Sequence, residues 1–201
     1  MNTKIWLVLL LVIGIICKLY FIKSTFENLN FNKTSFLQDI HNKKYVVLCG
    51  NSVKFQESFK KISQDILQNA YIIRFNTVLD HLPEDTKTDT LFISSDVKNN
   101  NNKNIEKWSK KCKVVFIDTL KNNEQVFNNY PVTITSGLSV LIFLLKYIDP
   151  KKIILVGFDM VNAPTDKFNW FRETVIWSEH NITLEKQLLS ELVSKNNIRV
   201  Y

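Results

Sequence analysis

Only three histidines occur in the 201 residues, and one of them, His180, stands in the stretch SEHNITLEKQLL just ahead of a helical pattern, with Glu185 five residues further on. A neutral imidazole at such a place can take a proton from a hydroxyl, which is general-base chemistry. The positive end of the helix, capped by Asn181 or Thr183, lowers the imidazole pKa and keeps it neutral. Glu185 can orient the ring or brace the loop, although a carboxylate beside the ring also raises its pKa. Taken alone, a histidine beside a helix cap is more often a surface residue. His41 and His81 read as loop residues.

A second group of residues suits an anionic ligand. Of the four glycines, three fall at element ends: Gly50 in CGNS, Gly137 in TSGL and Gly157 in ILVGF. Gly50, Asn51 and Ser52 follow one strand pattern and Asn76 follows the next, where their side chains can hydrogen-bond a sugar or phosphate. Thr135, Ser136 and Gly137 open a helix, whose free N–H groups and dipole attract negative charge. Ordinary tight turns explain the same glycines equally well. Neither G-x-G-x-x-G nor G-x-x-x-x-G-K-[ST] is present, which moves nicotinamide dehydrogenases and P-loop NTPases well down. Asp96, Asp118 and Asp159 are isolated, so no metal-holding loop is signalled. Cys17, Cys49 and Cys112 lack metal spacing and read as free thiols.

These residues need elements to hold them. Continuous β-branched runs at 45–49, 71–75, 90–94, 113–117, 152–158 and 198–201 predict strands covered on both faces. Helical spacing joins Phe55, Phe59, Ile62 and Ile66, then Leu138, Leu141, Ile142 and Leu145, then Leu184, Leu188, Leu189 and Leu192. Strand and helix in alternation predict an α/β sandwich of Rossmann type with a mostly parallel sheet over residues 45–201. Ahead of it, residues 1–23 carry the apolar run IWLVLLLVIGIIC, which resumes as LYFI after Lys18. Counting Lys18 as snorkelling, the run spans a bilayer, and without a small-residue cleavage site it reads as an uncleaved single-pass anchor. Residues 24–44 are then a stem or linker. Lys4 on one side and Lys18, Lys23 and Lys33 on the other leave the orientation open, with a weak lean toward a cytoplasmic body. The net charge of +7 fits nucleic acid, an anionic membrane or an anionic substrate, but the lysines are spread along the chain, as on a solvated surface.

Taken together, VVLCGNS with IIRFN, TSGLSVLIFLL with ILVGFD, and HNITLE with His180 and Glu185 resemble the sialylmotifs of the eukaryotic-type sialyltransferases, glycosyltransferase family 29. The bacterial sialyltransferases of family 42 show a similar scheme of TSG turn, G-[IF]-D strand end and late histidine. The resemblance covers roughly residues 45–195. It implies a sialyltransferase fold, a GT-A-like Rossmann variant, and transfer of sialic acid from CMP-sialic acid to a glycan hydroxyl, such as a galactoside on a glycoprotein or glycolipid. Transfer would proceed with inversion and without a metal or other cofactor. On this resemblance His180 and Glu185 are catalytic. Gly50, Asn51, Ser52, Arg74, Asn76, Thr135, Ser136 and Gly137 bind the donor, with Arg74 on its carboxylate, and Trp170 meets the acceptor. The membrane is of Golgi type or that of a virus or bacterium, and nucleic acid is not a partner. The family's second histidine has no counterpart in residues 160–179, where Trp170 stands near its place, and Cys49 lacks the second cysteine of animal members. The alternatives are a transferase for another CMP-linked acidic sugar, or an inactive membrane-tethered homologue that binds nucleotide or glycan.

Overall fold

Buried aliphatic runs become strands here because helices cover both of their faces. The computed structural model describes residues 13, 31–94, 97, 102–129, 134–158 and 182–201. The chain divides after Asn30, and the second unit, Phe31–Tyr201, is the body. Its elements in chain order are α1 (Lys33–His41), β1 (Tyr45–Cys49), α2 (Phe55–Lys60), α3 (Gln64–Asn69), β2 (Ala70–Phe75), β3 (Thr90–Ile93), α4 (Asn102–Ser109), β4 (Lys113–Phe116), α5 (Ile117–Asn123), α6 (Ser136–Tyr147), β5 (Ile153–Val156), α7 (Ile182–Asn196) and β6 (Arg199–Val200). Single 3₁₀ turns occupy Asn76–Asp80, Gln125–Asn129 and Pro150–Lys152.

The described strands form one six-stranded sheet in the order β4-β3-β2-β1-β5-β6. Each pairing is parallel, with Val47 opposite Ile72 on one side and Ile154 on the other. The α/β class with a mostly parallel sheet therefore holds. Successive side chains of a strand point to opposite faces, and two cores result. One contains Val46, Leu48, Ile73, Phe75, Phe92 and Leu155 beneath α1, α5, α6 and α7, with Phe36, Leu120, Leu141 and Leu189. The other contains Val47, Cys49, Ile72, Ile154 and Val156 beneath α2 and α3, with Phe55, Ile62 and Ile66. Helix α4 packs on β4 and buries Trp108, whose indole N–H donates to Asp80 at 3.0 Å.

Three local differences from the sequence reading have physical causes. The helix expected through Phe55, Phe59, Ile62 and Ile66 is two short ones, because Ser63 is extended and its hydroxyl accepts from the Ile66 amide at 3.4 Å, capping α3. The strand expected at 152–158 stops at Val156, because Gly157 turns the backbone at φ +67°. Residues 33–41 fall in the stretch read as stem or linker, yet they form α1 and put Phe36 and Ile40, both fully buried, into the main core. The Asn32 side chain caps this helix by accepting from Ser35 at 3.0 Å, and His41, expected in a loop, is its last residue.

A charged hub ties α1 to α6. The Glu124 carboxylate, only 3% exposed, accepts from Lys33 at 2.8 Å, from Lys146 at 3.1 Å and from the Tyr147 hydroxyl at 2.7 Å. Burial pushes the Glu124 pKa up, but the bonds from Lys33, Tyr147 and Lys146 outweigh it and hold the carboxyl below its usual value. Among the described residues no helix is long and apolar enough to cross a membrane. The expected anchor, residues 1–23, lies outside them except for Ile13.

Candidate functional site

Strands β1 to β4 are laid down in one direction across the sheet, and β5 then starts on the other side of β1. The order thus reverses between β1 and β5, and a parallel sheet opens a crevice at the carboxyl ends of the strands where this happens. Gly50, Asn51 and Ser52 leave β1 at that point. Gly50 donates its amide to the Val156 carbonyl at 2.8 Å, and Ser52 donates to the Gly157 carbonyl at 3.3 Å. The two turns touch so closely that a Cβ on Gly50 would run into the Gly157 carbonyl oxygen. Only glycine fits there.

Asn51 reaches sideways, its Nδ2 donating to the Phe75 carbonyl at 3.1 Å at the end of β2. Asn76 follows in the left-handed region at φ 57°, a conformation asparagine tolerates better than most residues. Its Oδ1 accepts from the Ser94 amide at 3.1 Å, tying the ends of β2 and β3 together. Asn51 Oδ1 and Ser52 Oγ are buried without a hydrogen-bond partner among the described residues. Such atoms are uncommon in folded proteins and can serve a ligand.

The TSG turn closes the crevice from the other side. Gly137 lies against the Phe158 ring, which meets the Phe75 ring edge-on at 6.2 Å between centroids. Thr135 is the extended residue before α6, and its amide donates to Glu185 Oε2 at 3.1 Å. Glu185 projects from the first turn of α7 and is fully buried. Its described contact is therefore the brace on the TSG turn. These contacts bring Gly50, Asn51, Ser52, Asn76, Thr135, Ser136, Gly137 and Glu185 to one end of the sheet, although they come from four separate stretches of chain.

Arg74 goes elsewhere. It faces the opposite side of the sheet from Phe75 and is 1% exposed beneath α2. Its guanidinium carbon lies 5.4 Å from the Phe55 ring centroid and 5.3 Å from that of Phe59, and Nε donates to Thr88 Oγ1 at 3.2 Å. Nη1 and Nη2 have no partner among the described residues. A ligand carboxylate would have to displace α2 to reach them. Burial also pushes the Cys49 thiol pKa up, against the opposing effect of Arg74, so Cys49 is a core thiol and not a nucleophile. Cys49 and Cys112 are both free. His180 and Trp170 lie outside the described residues.

The sequence does not single out one further residue at the crevice. Lys121 in α5 donates its Nζ to the Ile134 carbonyl at 3.0 Å. Partial burial lowers its pKa, while the charges of Asp118 and Glu185 act in the other direction. Nothing in IDTLKNN marks this lysine among the many others of the chain, and only the packing of α5 beside α6 brings it here. Among the described residues, no three of His, Cys, Asp and Glu are gathered as a metal would require. No protein-family model matches the chain, and no curated protein sequence matches it.

Proposed function

We propose that the protein is a membrane-anchored sialyltransferase of the GT-A-like type, transferring sialic acid from CMP-sialic acid to a glycan hydroxyl with inversion and without a metal. The observation that carries this reading is the convergence of the GNS turn, Asn76 and the braced TSG turn on one switch-point crevice, in the combination that the motif resemblance assigns to a CMP-sugar. In this reading Asn51, Ser52 and Asn76 meet the ribose and phosphate. The first amides of α6 face the phosphate, where the helix dipole favours negative charge.

The acceptor hydroxyl oxygen forms a bond to the anomeric carbon as the bond from that carbon to the phosphate oxygen breaks. His180 takes the hydroxyl proton, and CMP leaves with the electron pair. The transition state is cation-like at the sugar, so stabilising the departing phosphate by fixed donors lowers the barrier more than polarising the acceptor does. Glu185 serves by holding the TSG turn. Trp170 supplies an aromatic face for the acceptor sugar. The apolar segment at residues 5–22 holds the protein to the membrane as a single pass.

The test uses the full chain in mild detergent with CMP-sialic acid, a small panel of galactosides and EDTA, following CMP release beside His180→Ala. Release that persists in EDTA and collapses in the variant is the expected result. CMP binding without release would overturn the enzyme reading in favour of a binding-only homologue. Competition by another CMP-linked acidic sugar that is turned over faster would change the donor and leave the site in place.

A further inference from the structure

We propose that the amino edge of the sheet, where β1, β5 and β6 begin, is a docking surface for anionic lipid headgroups, and that docking there aims the crevice away from the bilayer. The inference rests on the membrane-anchored part of the proposed function. Lysines that lie far apart along the chain are gathered here by strand pairing. Lys43 and Lys44 lead into β1, and Lys151 and Lys152 lead into β5. The two strands run parallel with Val46 opposite Ile153, so the two lysine pairs enter the sheet on neighbouring strands, about 4.8 Å apart. Lys152 Nζ donates to the Lys43 carbonyl at 3.3 Å. On the far side of β5, Arg199 stands opposite Ile154, and its guanidinium carbon lies 5.1 Å from the Tyr45 ring centroid. Lys44 Nζ lies 5.2 Å from the same centroid. Lys44, Lys151 and Arg199 are exposed, and Lys43 and Lys152 are half-buried.

The charge does not balance within this edge. Residues 41–45, 149–153 and 197–200 hold these five cations and one acid, Asp149, while Asp65 reaches in from α3 to within 3.9 Å of Lys44. Asp149 is already engaged, its carboxylate accepting from the Lys151 amide at 3.0 Å. Five cations against two carboxylates leave three positive charges. Helices α1, α6 and α7 end on this edge, and each helix end carries about half a negative charge that a cation can offset. Those ends absorb about one and a half charges, and about as much again is left facing solvent. Nucleic acid would suit the same excess, but a chain held by an apolar segment keeps this surface beside a bilayer at high effective concentration. An anionic leaflet favours cations close to it by about fivefold for each charge, so the remaining excess gives about a tenfold preference for the docked orientation. The crevice opens at the other ends of the same strands, and β1, five residues long, separates the two edges by about 17 Å. Docking therefore leaves the crevice open to the aqueous phase, where it meets glycans that stand off the membrane, as on glycoproteins, in preference to glycolipid sugars in the same leaflet.

The test is a lysine footprint of the full chain reconstituted into vesicles of phosphatidylcholine alone or with about one third phosphatidylserine. A membrane-impermeant acylating reagent labels the outward-facing protein, and mass spectrometry reads each lysine. Labelling of Lys43, Lys44, Lys151 and Lys152 is expected to slow by about tenfold on the serine-containing vesicles at low salt and to recover in about 0.5 M salt. Lys54 and Lys186, at the crevice end, serve as controls in the same molecule and should label equally on both vesicles. Lys44→Gln with Lys151→Gln should restore much of the labelling at Lys43 and Lys152. Equal labelling on the two vesicles, protection that survives salt, or equal protection of Lys54 overturns the inference while leaving the anchored enzyme in place. Single-stranded RNA that protects these four lysines where the serine lipid does not would overturn the lipid assignment in favour of nucleic acid. A full chain that fails to float with phosphatidylcholine vesicles overturns the anchored reading instead. In that case salt-sensitive flotation with the serine-containing vesicles still supports the docking surface, and its absence overturns that as well.

Discussion

Arg74 provides the sharpest test of the energetics of this fold. Its guanidinium is enclosed and always charged, and among the described residues it is bonded through Nε alone, with two phenylalanine rings as its remaining support. Arg74→Met keeps a side chain of similar volume and removes the charge. The losses are one charge-assisted bond worth about 1.5–3 kcal/mol and two ring contacts worth about 0.5–1 kcal/mol each. The gains are release of two buried nitrogens that have no partner among the described residues, about 1–3 kcal/mol each, and removal of a buried charge, which adds to that figure. The losses come to about 2.5–5 kcal/mol and the gains to about 2–6 kcal/mol before the charge is counted, so the two nearly cancel and the expected change lies within about 2 kcal/mol of neutral, with removal of the charge tipping it toward methionine. Denaturant unfolding of the full chain in detergent, followed by far-ultraviolet circular dichroism, measures this directly. A loss of more than about 2 kcal/mol would refute the reasoning, because breaking a satisfied buried charge pair costs about 3–5 kcal/mol. It would mean that Nη1 and Nη2 have a partner in the folded protein.

Gly50→Ala drives a methyl into the Gly157 carbonyl, and backbone cannot step aside as a side chain can, so a stability loss of about 2 kcal/mol or more is expected; an unchanged melting temperature would disprove the close approach. Glu124→Gln weakens the hub of Lys33, Lys146 and Tyr147 and should cost about 2 kcal/mol near neutral pH. The pH dependence has a definite sign. The folded carboxyl pKa is depressed, so the contribution is present above the unfolded value of about 4.3 and is lost as pH falls through the folded one. Melting curves of wild type and Glu124→Gln should therefore converge in acid, and a gap that persists at low pH would contradict this. At the alkaline end the lysine pKa values are raised, so their share is present below about 10.4 and is lost as pH rises through the folded values.

Much of the fold was legible in the sequence because a parallel sheet buried on both faces leaves an unmistakable mark. YVVLC, YIIRF and KVVFI have no polar alternation, and each is a strand within one residue of the expected bounds. The turns were legible too, since GNS and TSG combine a glycine with small polar side chains at element ends. Helix α1 was not, because KTSFLQDIH carries few apolar residues and its two wholly buried ones matter only where a sheet lies ready to receive them. The break between α2 and α3 was hidden for a related reason: spacing continues through Ile62, and only the Ser63 cap ends the run.

The sequence by itself determined which runs are strands, that they lie parallel, and which short turns stand at their carboxyl ends, because each of these follows from local periodicity and local backbone chemistry. The tertiary structure decided the rest. Strand order placed the switch point between β1 and β5 and so joined turns more than a hundred residues apart. The pleat sent Arg74 under α2 while its neighbour Phe75 faced Phe158. Packing of α5 and α7 against the entry to α6 brought Lys121 and Glu185 onto one peptide group. No local pattern encodes such a meeting, since the two residues act together only after three helices have found their places on the sheet.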